Sequence, residues 1–374
     1  MWKLRARPLL TIITLELRQR VRSRGWLIGL GIWVLFLFLM TALLTAAIGT
    51  GSGNPDPGNF EVLYSAITML VIFMMLVVIP AQTSATINGD RNAGTLATLQ
   101  ATLVSPFEIV VGKTLAGWTT GMVFFGLALP FVFYATLSEQ VYPLSVALMV
   151  ISTSFLMLCI TAIGVGLSAW TKRALGSVVL AYLLIVATTF ISPIATGLAT
   201  VAFVSYSEEK VYQWDYSTEI PTCQQTTNRV THLPSRYTRW LLFPNPYVVI
   251  SDFSSMGFDQ SKLVGDGGRR IDHFNPEAYN ILSMISGGVR YLGHEEATKQ
   301  TSYFGNECVP GQKYVEILDT GYQSPINDIK PNELTPVWQY GAALWTLAAM
   351  FSLWGATRRL RTPVKHLPKG FRIA

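Results

Sequence analysis

Six stretches of this chain, residues 26–48, 62–87, 114–137, 142–169, 177–204 and 335–354, contain no Asp, Glu, Lys, Arg or His. Each is roughly 20 residues or longer, the length an α-helix needs to cross a hydrocarbon layer about 30 Å thick. That restricts the chain to a small set of folds. Charged residues make up 13% of the 374, against about 25% in soluble domains, and the mean hydropathy is +0.37. Ten Trp, fifteen Tyr and nineteen Phe exclude a disordered chain. Trp26, Tyr142, Trp170, Trp338 and Trp354 stand at the ends of the stretches, where aromatic side chains anchor a helix at the interface. The expected fold class is an all-α integral membrane protein with six transmembrane helices.

An even number of spans puts both termini on one side, and the basic residues say which. The arm before the first span carries Lys3, Arg5, Arg7, Arg18, Arg20, Arg22 and Arg24, the second loop Arg91 and Lys113, the fourth Lys172 and Arg173. The tail adds Arg358, Arg359, Arg361, Lys365, Lys369 and Arg372, and only Glu16, Asp90 and Glu108 oppose them on that side. Short loops rich in Lys and Arg remain in the cytoplasm, so both termini are expected there, in a multi-pass protein of the cell membrane. The pI near 9.2 then follows from orientation, and no nucleic-acid partner is needed to explain it.

The chain divides into a cytoplasmic arm (1–25), a first set of five spans (26–204) with a cytoplasmic loop at 88–113, an outer segment (205–334), the sixth span (335–354) and a basic tail (355–374). Leu10, Ile13, Leu17 and Val21 fall on one side of a helical wheel, with Arg18 and Arg22 beside them. Residues 8–24 therefore read as an amphipathic helix lying on the membrane surface, with Glu16 and Arg20 as an i,i+4 pair; a basic arm held by anionic lipid is the alternative. The apolar run 9–15 is too short, and lacks the small-residue pattern, for a cleavable signal.

The outer segment is the one place where composition turns soluble, and its length is unlike a plain loop. It holds Cys223 and Cys308, while Cys159 lies inside the fourth span. On an oxidising face the pair reads as a disulfide closing the domain, with two separate thiols as the alternative. Such a loop would stabilise the domain by about 4 kcal/mol in the chain-entropy picture. Residues 240–250, broken by Pro244 and Pro246, either dip against the bundle or form the domain's own core. Asn275-Pro276-Glu277 has the form of a helix start, with a stop expected near Gly287-Gly288.

Motifs that carry chemistry are few. His294-Glu295-Glu296 opens like a zinc-protease helix, but Thr298 stands where the second histidine belongs. No Gly-x-Ser-x-Gly elbow is present. Gly112-Lys113-Thr114 ends like a phosphate-binding loop, yet Phe107 occupies the position of its first glycine. Lys113 is read instead as an interfacial anchor. No metal site is expected, and the chain is not expected to be an enzyme. Charge-free spans also argue against a proton-coupled carrier.

The loop after the second span carries the most specific pattern. It runs Asn88-Gly89-Asp90-Arg91-Asn92-Ala93-Gly94-Thr95-Leu96-Ala97-Thr98-Leu99, then Ser105-Pro106 and Gly112-Lys113. This resembles the permeases of type 2 ABC (ATP-binding cassette) exporters, whose loop reads acidic-Arg, a short gap, Gly-Thr-Leu, a Leu-rich turn, Thr-Pro, then Gly-Lys before the next span. Leu15-Glu16-Leu17-Arg18 is similar to that family's interfacial helix, and Phe243-Pro244-Asn245-Pro246 extends the likeness. The chain departs from the pattern at Ala97, where the family often has Glu, and at Pro106, displaced from the Thr-Pro position.

The resemblance implies a permease subunit working as half of a dimer, with a second identical or paralogous copy and two cytoplasmic ATPase chains. ATP and Mg would sit on those ATPases, with no cofactor on this chain. Asp90, Arg91, Gly94, Thr95, Leu96 and Leu99 would then form the coupling element, with Leu96 and Leu99 inserted in a groove of the ATPase. Glu16, Arg18 and Arg20 would belong to the interfacial helix, and Leu96→Asp would uncouple hydrolysis from export without unfolding the chain. Met69, Phe73, Tyr182 and Phe190 are candidates for the cargo path, although such residues ordinarily face lipid or pack helices. Walls without charge suit an amphiphilic or apolar cargo, such as a drug, antibiotic, peptide or lipid, as in multidrug efflux. The rival reading is a membrane scaffold or sensor whose outer domain binds a ligand or partner.

Overall fold

The computed structural model describes residues 5–49, 57–96, 104–136, 143–215, 217, 221–257, 281–293, 299–301 and 335–360. A short helix, α1 (Ala6–Val21), is followed after a two-residue break by α2 (Arg24–Gly49). Then come α3 (Pro57–Thr83), the short α4 (Thr86–Ala93), α5 (Pro106–Tyr134), α6 (Pro143–Trp170) and α7 (Ala174–Val186). A π-helical turn (Ala187–Ile191) joins α7 to α8 (Ser192–Ala202), so that the two form one long rod. Among the described residues, five segments are long and apolar enough to cross a membrane: Arg24–Ile48, Val62–Ala93, Pro106–Tyr134, Pro143–Trp170 and Ala174–Ala202. This is a multi-pass membrane protein.

α6 is the central helix. In its most apolar window 61% of residues are buried inside the protein, against 17% for α2; α2 therefore lies at the periphery with its outer face free. Small residues let helices approach α6 closely: a Cβ on Gly166 would collide with Ser352 of the last helix, α11 (Trp338–Leu360). The main core gathers Leu37 of α2, Tyr64, Ile67, Ile72, Met75 and Ile79 of α3, Phe125 of α5 and Met149 and Leu156 of α6.

α11 has 23 residues, about 35 Å at 1.5 Å per residue, which is span length. It is not among the five segments that qualify, because Trp338, Gln339, Tyr340, Trp345 and Trp354 dilute its apolar content.

Between α8 and α11 the chain is not all helical. β1 (Ser205–Asp215) and β2 (Thr222–His232) pair antiparallel from Ser205↔His232 to Asp215↔Thr222, and β3 (Lys299–Thr301) adds to the far side of β2. The β-branched residues Thr222, Thr226, Thr227, Val230 and Thr231 favour a strand. Cys223 sits opposite Trp214 in this hairpin; Cys308 lies outside the described residues.

Two further helices return to the bundle. α9 (Pro246–Ser254) lies within residues 240–250 and beyond, and is buried at Val248, Val249, Ile250, Ser251 and Asp252. α10 is Ile281–Tyr291. The expected start at Asn275-Pro276 lies outside the described residues. The helix runs through Gly287-Gly288 rather than stopping there: Gly287 is buried within it, and a Cβ on Gly288 would meet nothing within 4 Å.

The Pro-Asn-Pro element has a physical role that its sequence hides. Pro193, in the first turn of α8, has no N–H to give to the carbonyl of Thr189 four residues earlier. Asn245 Nδ2 donates to that carbonyl at 3.1 Å and to Ser192 Oγ at 3.2 Å, while Asn245 Oδ1 accepts the Tyr247 N–H at 3.0 Å and caps α9. One side chain thus repairs a broken helix and starts another.

Candidate functional site

Among the described residues, buried charges concentrate at two places: Glu108 and Lys113 at the first, Asp252 at the second. The first is the junction of α1, α4 and α5. Ser105, Pro106 and Glu108 begin α5 with a capping box: Ser105 Oγ accepts the Glu108 N–H at 3.2 Å and Glu108 Oε2 accepts the Ser105 N–H at 2.8 Å. Glu108 also accepts from Arg5, from its backbone N–H at 2.9 Å and its Nε at 3.1 Å to Oε1, and from its Nη2 at 3.2 Å to Oε2. Those hydrogen bonds raise the pKa of Arg5 and fasten the start of α1 to the first turn of α5.

One turn further, Gly112 lets α1 lie flush on α5, since a Cβ there would meet Ile12 Cγ2 at 2.9 Å. The next residue, Lys113, is 2% exposed. Its Nζ lies 2.5 Å from Glu16 Oε1 of α1 and 2.6 Å from Asp90 Oδ2 of α4. Lys113 is therefore no interfacial anchor: two carboxylates from two other helices draw it inward. Glu16 is engaged by Lys113 rather than by Arg20, and Arg20 Nη1 instead donates to Gln82 Oε1 of α3 at 3.3 Å. Arg18 is exposed.

α4 is fixed at its other end to α6. Its first N–H groups have no partners inside so short a helix; Ser168 Oγ accepts from Ile87 N at 3.0 Å and Asn88 N at 3.1 Å. Asn88 Nδ2 donates to Thr171 Oγ1 at 2.9 Å, and Arg91 Nη1 donates to Asn88 Oδ1 at 3.1 Å and to the Thr171 carbonyl at 3.3 Å. Gly94 then ends α4 in the left-handed region, with φ +72°, a conformation that favours glycine.

Leu96 occupies a different place from the one its spacing suggests. It is 3% exposed, packed with Ile12, Ile87, Ile109 and Val110 into a small core of its own. Its apolar side chain is drawn into the junction, so Leu96→Asp would put an unpaired charge inside the fold and could not uncouple an intact permease. Gly89, Asn92, Ala93 and Thr95 are the exposed edge of this element. Leu99 lies outside the described residues. The 88–113 loop is in large part helical: α4 fills its start and α5 begins at Pro106.

The second place is built on Asp252 of α9, fully enclosed. Its Oδ1 accepts from Ser286 Oγ at 2.9 Å and Arg290 Nε at 2.5 Å, both of α10, and its Oδ2 accepts the Val337 and Trp338 N–H groups at 2.7 and 2.8 Å. One carboxylate holds α9 and α10 and caps α11.

Three of the four path candidates, Phe73, Tyr182 and Phe190, lie along the seam between α3 and the α7–α8 rod, and the fourth, Met69 of α3, meets α9. Phe73 and Phe190 meet edge to face with centroids 6.5 Å apart, and both are exposed. Tyr182 Oη donates to the Val77 carbonyl at 2.7 Å, and the Met69 carbonyl accepts from Tyr247 Oη at 3.4 Å. Among the described residues no group of three or more His, Cys, Asp or Glu side chains converges as a metal site would require.

Five apolar spans, with a short helix packed across the end of the third, define a helical membrane protein in which a surface element is tied to the transmembrane bundle. The profile of the ABC-2 family transporter protein matches residues 10–247, from α1 through all five spans to the start of α9, and the chain belongs to that family. No curated protein matches the chain.

Proposed function

We propose that this chain is the permease subunit of an ATP-driven exporter, moving an amphiphilic or apolar cargo with energy supplied by separate ATPase chains. Membership of the ABC-2 family supports a transporter membrane domain. The observation that carries the coupling is the Lys113 junction, where one buried cation binds α1 and α4 to α5. A push on the exposed edge at Gly89, Asn92, Ala93 and Thr95 passes through α4 to a spanning helix without a compliant joint, because Ser168, Lys113 and Leu96 each fix it. α1, α4 and the start of α5 move as one body. ATP binding closes the ATPases, tilts that body and opens the seam between α3 and the α7–α8 rod, and hydrolysis resets it.

In this reading both termini are cytoplasmic, α11 is a sixth span of the cell membrane despite its modest hydropathy, and residues 205–334 face outward with Cys223 and Cys308 paired. Two permease copies form the conduit, and ATP and Mg sit on the partners. The coupling is tested with Thr95→Cys, at an exposed position. In membranes holding the permease and its cognate ATPase, a short bifunctional thiol reagent should link the two chains, and protection by the ATPase should slow labelling. Labelling of Thr95→Cys only from the outer side, or no link to any ATPase, would contradict the proposal.

A further inference from the structure

The elbow between α1 and α2 holds a cleft of about 340 Å³ that the transport reading does not use. That volume is within the range of small-molecule sites, roughly 300–1,000 Å³. Its two ends differ in chemistry. At one end are Arg20, Ser23 and Gln82; at the other, Trp26, Gly29 and Phe124. Trp26 and Phe124 meet edge to face with centroids 5.0 Å apart and form an aromatic floor. A Cβ at Gly29 would meet nothing within 4 Å, so the groove beside it on α2 is open.

Arg20 donates only one hydrogen bond among the described residues, from Nη1 to Gln82 at 3.3 Å. The nearby carboxylate of Glu16 is committed to Lys113. Burial lowers the pKa of Arg20, and the charge of Glu16 offsets that only in part. Arg18, Arg22 and Arg24 stand on the same short segment, and each basic residue near an anionic membrane surface adds attraction. A guanidinium forks naturally to phosphate oxygens.

We propose that this cleft binds one anionic phospholipid, its phosphate on Arg20 and an acyl chain along the Gly29 groove of α2 over Trp26 and Phe124. Both ends of the cleft are then used by one molecule. A free phosphate would satisfy only the basic end, and a second copy of α2 would satisfy only the apolar end. The site is built from α1 and α2 with Gln82 of α3 and Phe124 of α5, and it holds whatever the chain transports.

The test is retention of lipid by the purified full-length protein, counted by native mass spectrometry after exchange into nanodiscs of phosphatidylcholine containing a minor fraction of phosphatidylglycerol. The wild type should retain one phosphatidylglycerol per chain, at least about tenfold over phosphatidylcholine. Arg20→Gln should lose that preference, while Arg22→Gln, at an exposed position, should keep it within about twofold. Gly29→Leu fills the groove without touching Arg20 and should also lower retention about tenfold. Inorganic phosphate should not displace the lipid from the wild type. Equal retention of both lipids, or an unchanged count in Arg20→Gln, would overturn the proposal. Retention intact in Gly29→Leu but abolished by phosphate would make this a free-anion site. A change of oligomeric state in Gly29→Leu with no change in lipid would assign the groove to a second copy.

Discussion

Replacing Lys113 by methionine keeps the length and much of the volume of the side chain and removes only its charge. In the wild type Nζ lies 2.5 Å from Glu16 and 2.6 Å from Asp90. Without it the two carboxylates face each other across at most about 5 Å, and at an effective dielectric of about 20 their repulsion is at least about 3 kcal/mol. Deleting one member of a buried ion pair typically costs about 3–5 kcal/mol. Glu16 and Asp90 are 16% and 25% exposed, so solvent screening favours the lower figure. The variant should therefore lose about 3 kcal/mol of stability, read by equilibrium unfolding in mixed detergent micelles followed by tryptophan fluorescence. The neutral triple variant Glu16→Gln, Asp90→Asn, Lys113→Met should return to within about 1 kcal/mol of the wild type, since well-packed neutral groups replace a buried charge cluster at little cost. A single variant as stable as the wild type, or a triple variant no better than the single, would refute the role given to Lys113.

Gly112→Val should push α1 away from α5 and lower both stability, by about 1–3 kcal/mol, and cargo-stimulated ATPase activity; adding Ile12→Ala should restore much of each, because Ile12 is what the new side chain meets. Asp252→Asn should destabilise the chain by about 3–5 kcal/mol in the same unfolding assay, since it leaves Arg290 without its charge partner and turns an amide donor toward the N–H groups of α11. Its cost should fall when Arg290→Met is added.

The spans were legible because their signal is long and redundant: twenty apolar residues leave few other outcomes, and five of the six expected helices meet the requirement of length and apolarity. α11 shows the limit of that signal, since its capping by Asp252 and its packing on Gly166 are tertiary facts without a local mark. Gly94 was readable as a stop because glycine alone enters the left-handed region readily. The Ser105–Glu108 capping box was equally visible in its spacing, yet Pro106 drew attention as a displaced motif residue. Leu96 misled for a different reason: an apolar residue on a short polar helix is compatible with a partner's groove or with the chain's own core, and only the position of Ile12 and Ile109 decides. Lys113 was read from its neighbours in sequence, whereas its partners are 97 residues earlier in α1 and in the neighbouring α4. The hairpin Ser205–His232 has no mark in hydropathy, which located the spans but is silent on a polar sheet.

The central claim is that α1 and the start of α5 travel together when the ATPases act. Cysteines at Ile12 and Gly112 would place two Cβ atoms 3.1 Å apart, slightly closer than the separation of about 3.5–4.5 Å that a disulfide needs, so that a small parting of α1 from α5 lets the bond form and lock the two helices. With the permease reconstituted beside its ATPase, the oxidised Ile12→Cys, Gly112→Cys variant should export cargo at the rate of its reduced form. Loss of export on oxidation, recovered on reduction, would mean that the two helices must slide past each other, and would contradict the account.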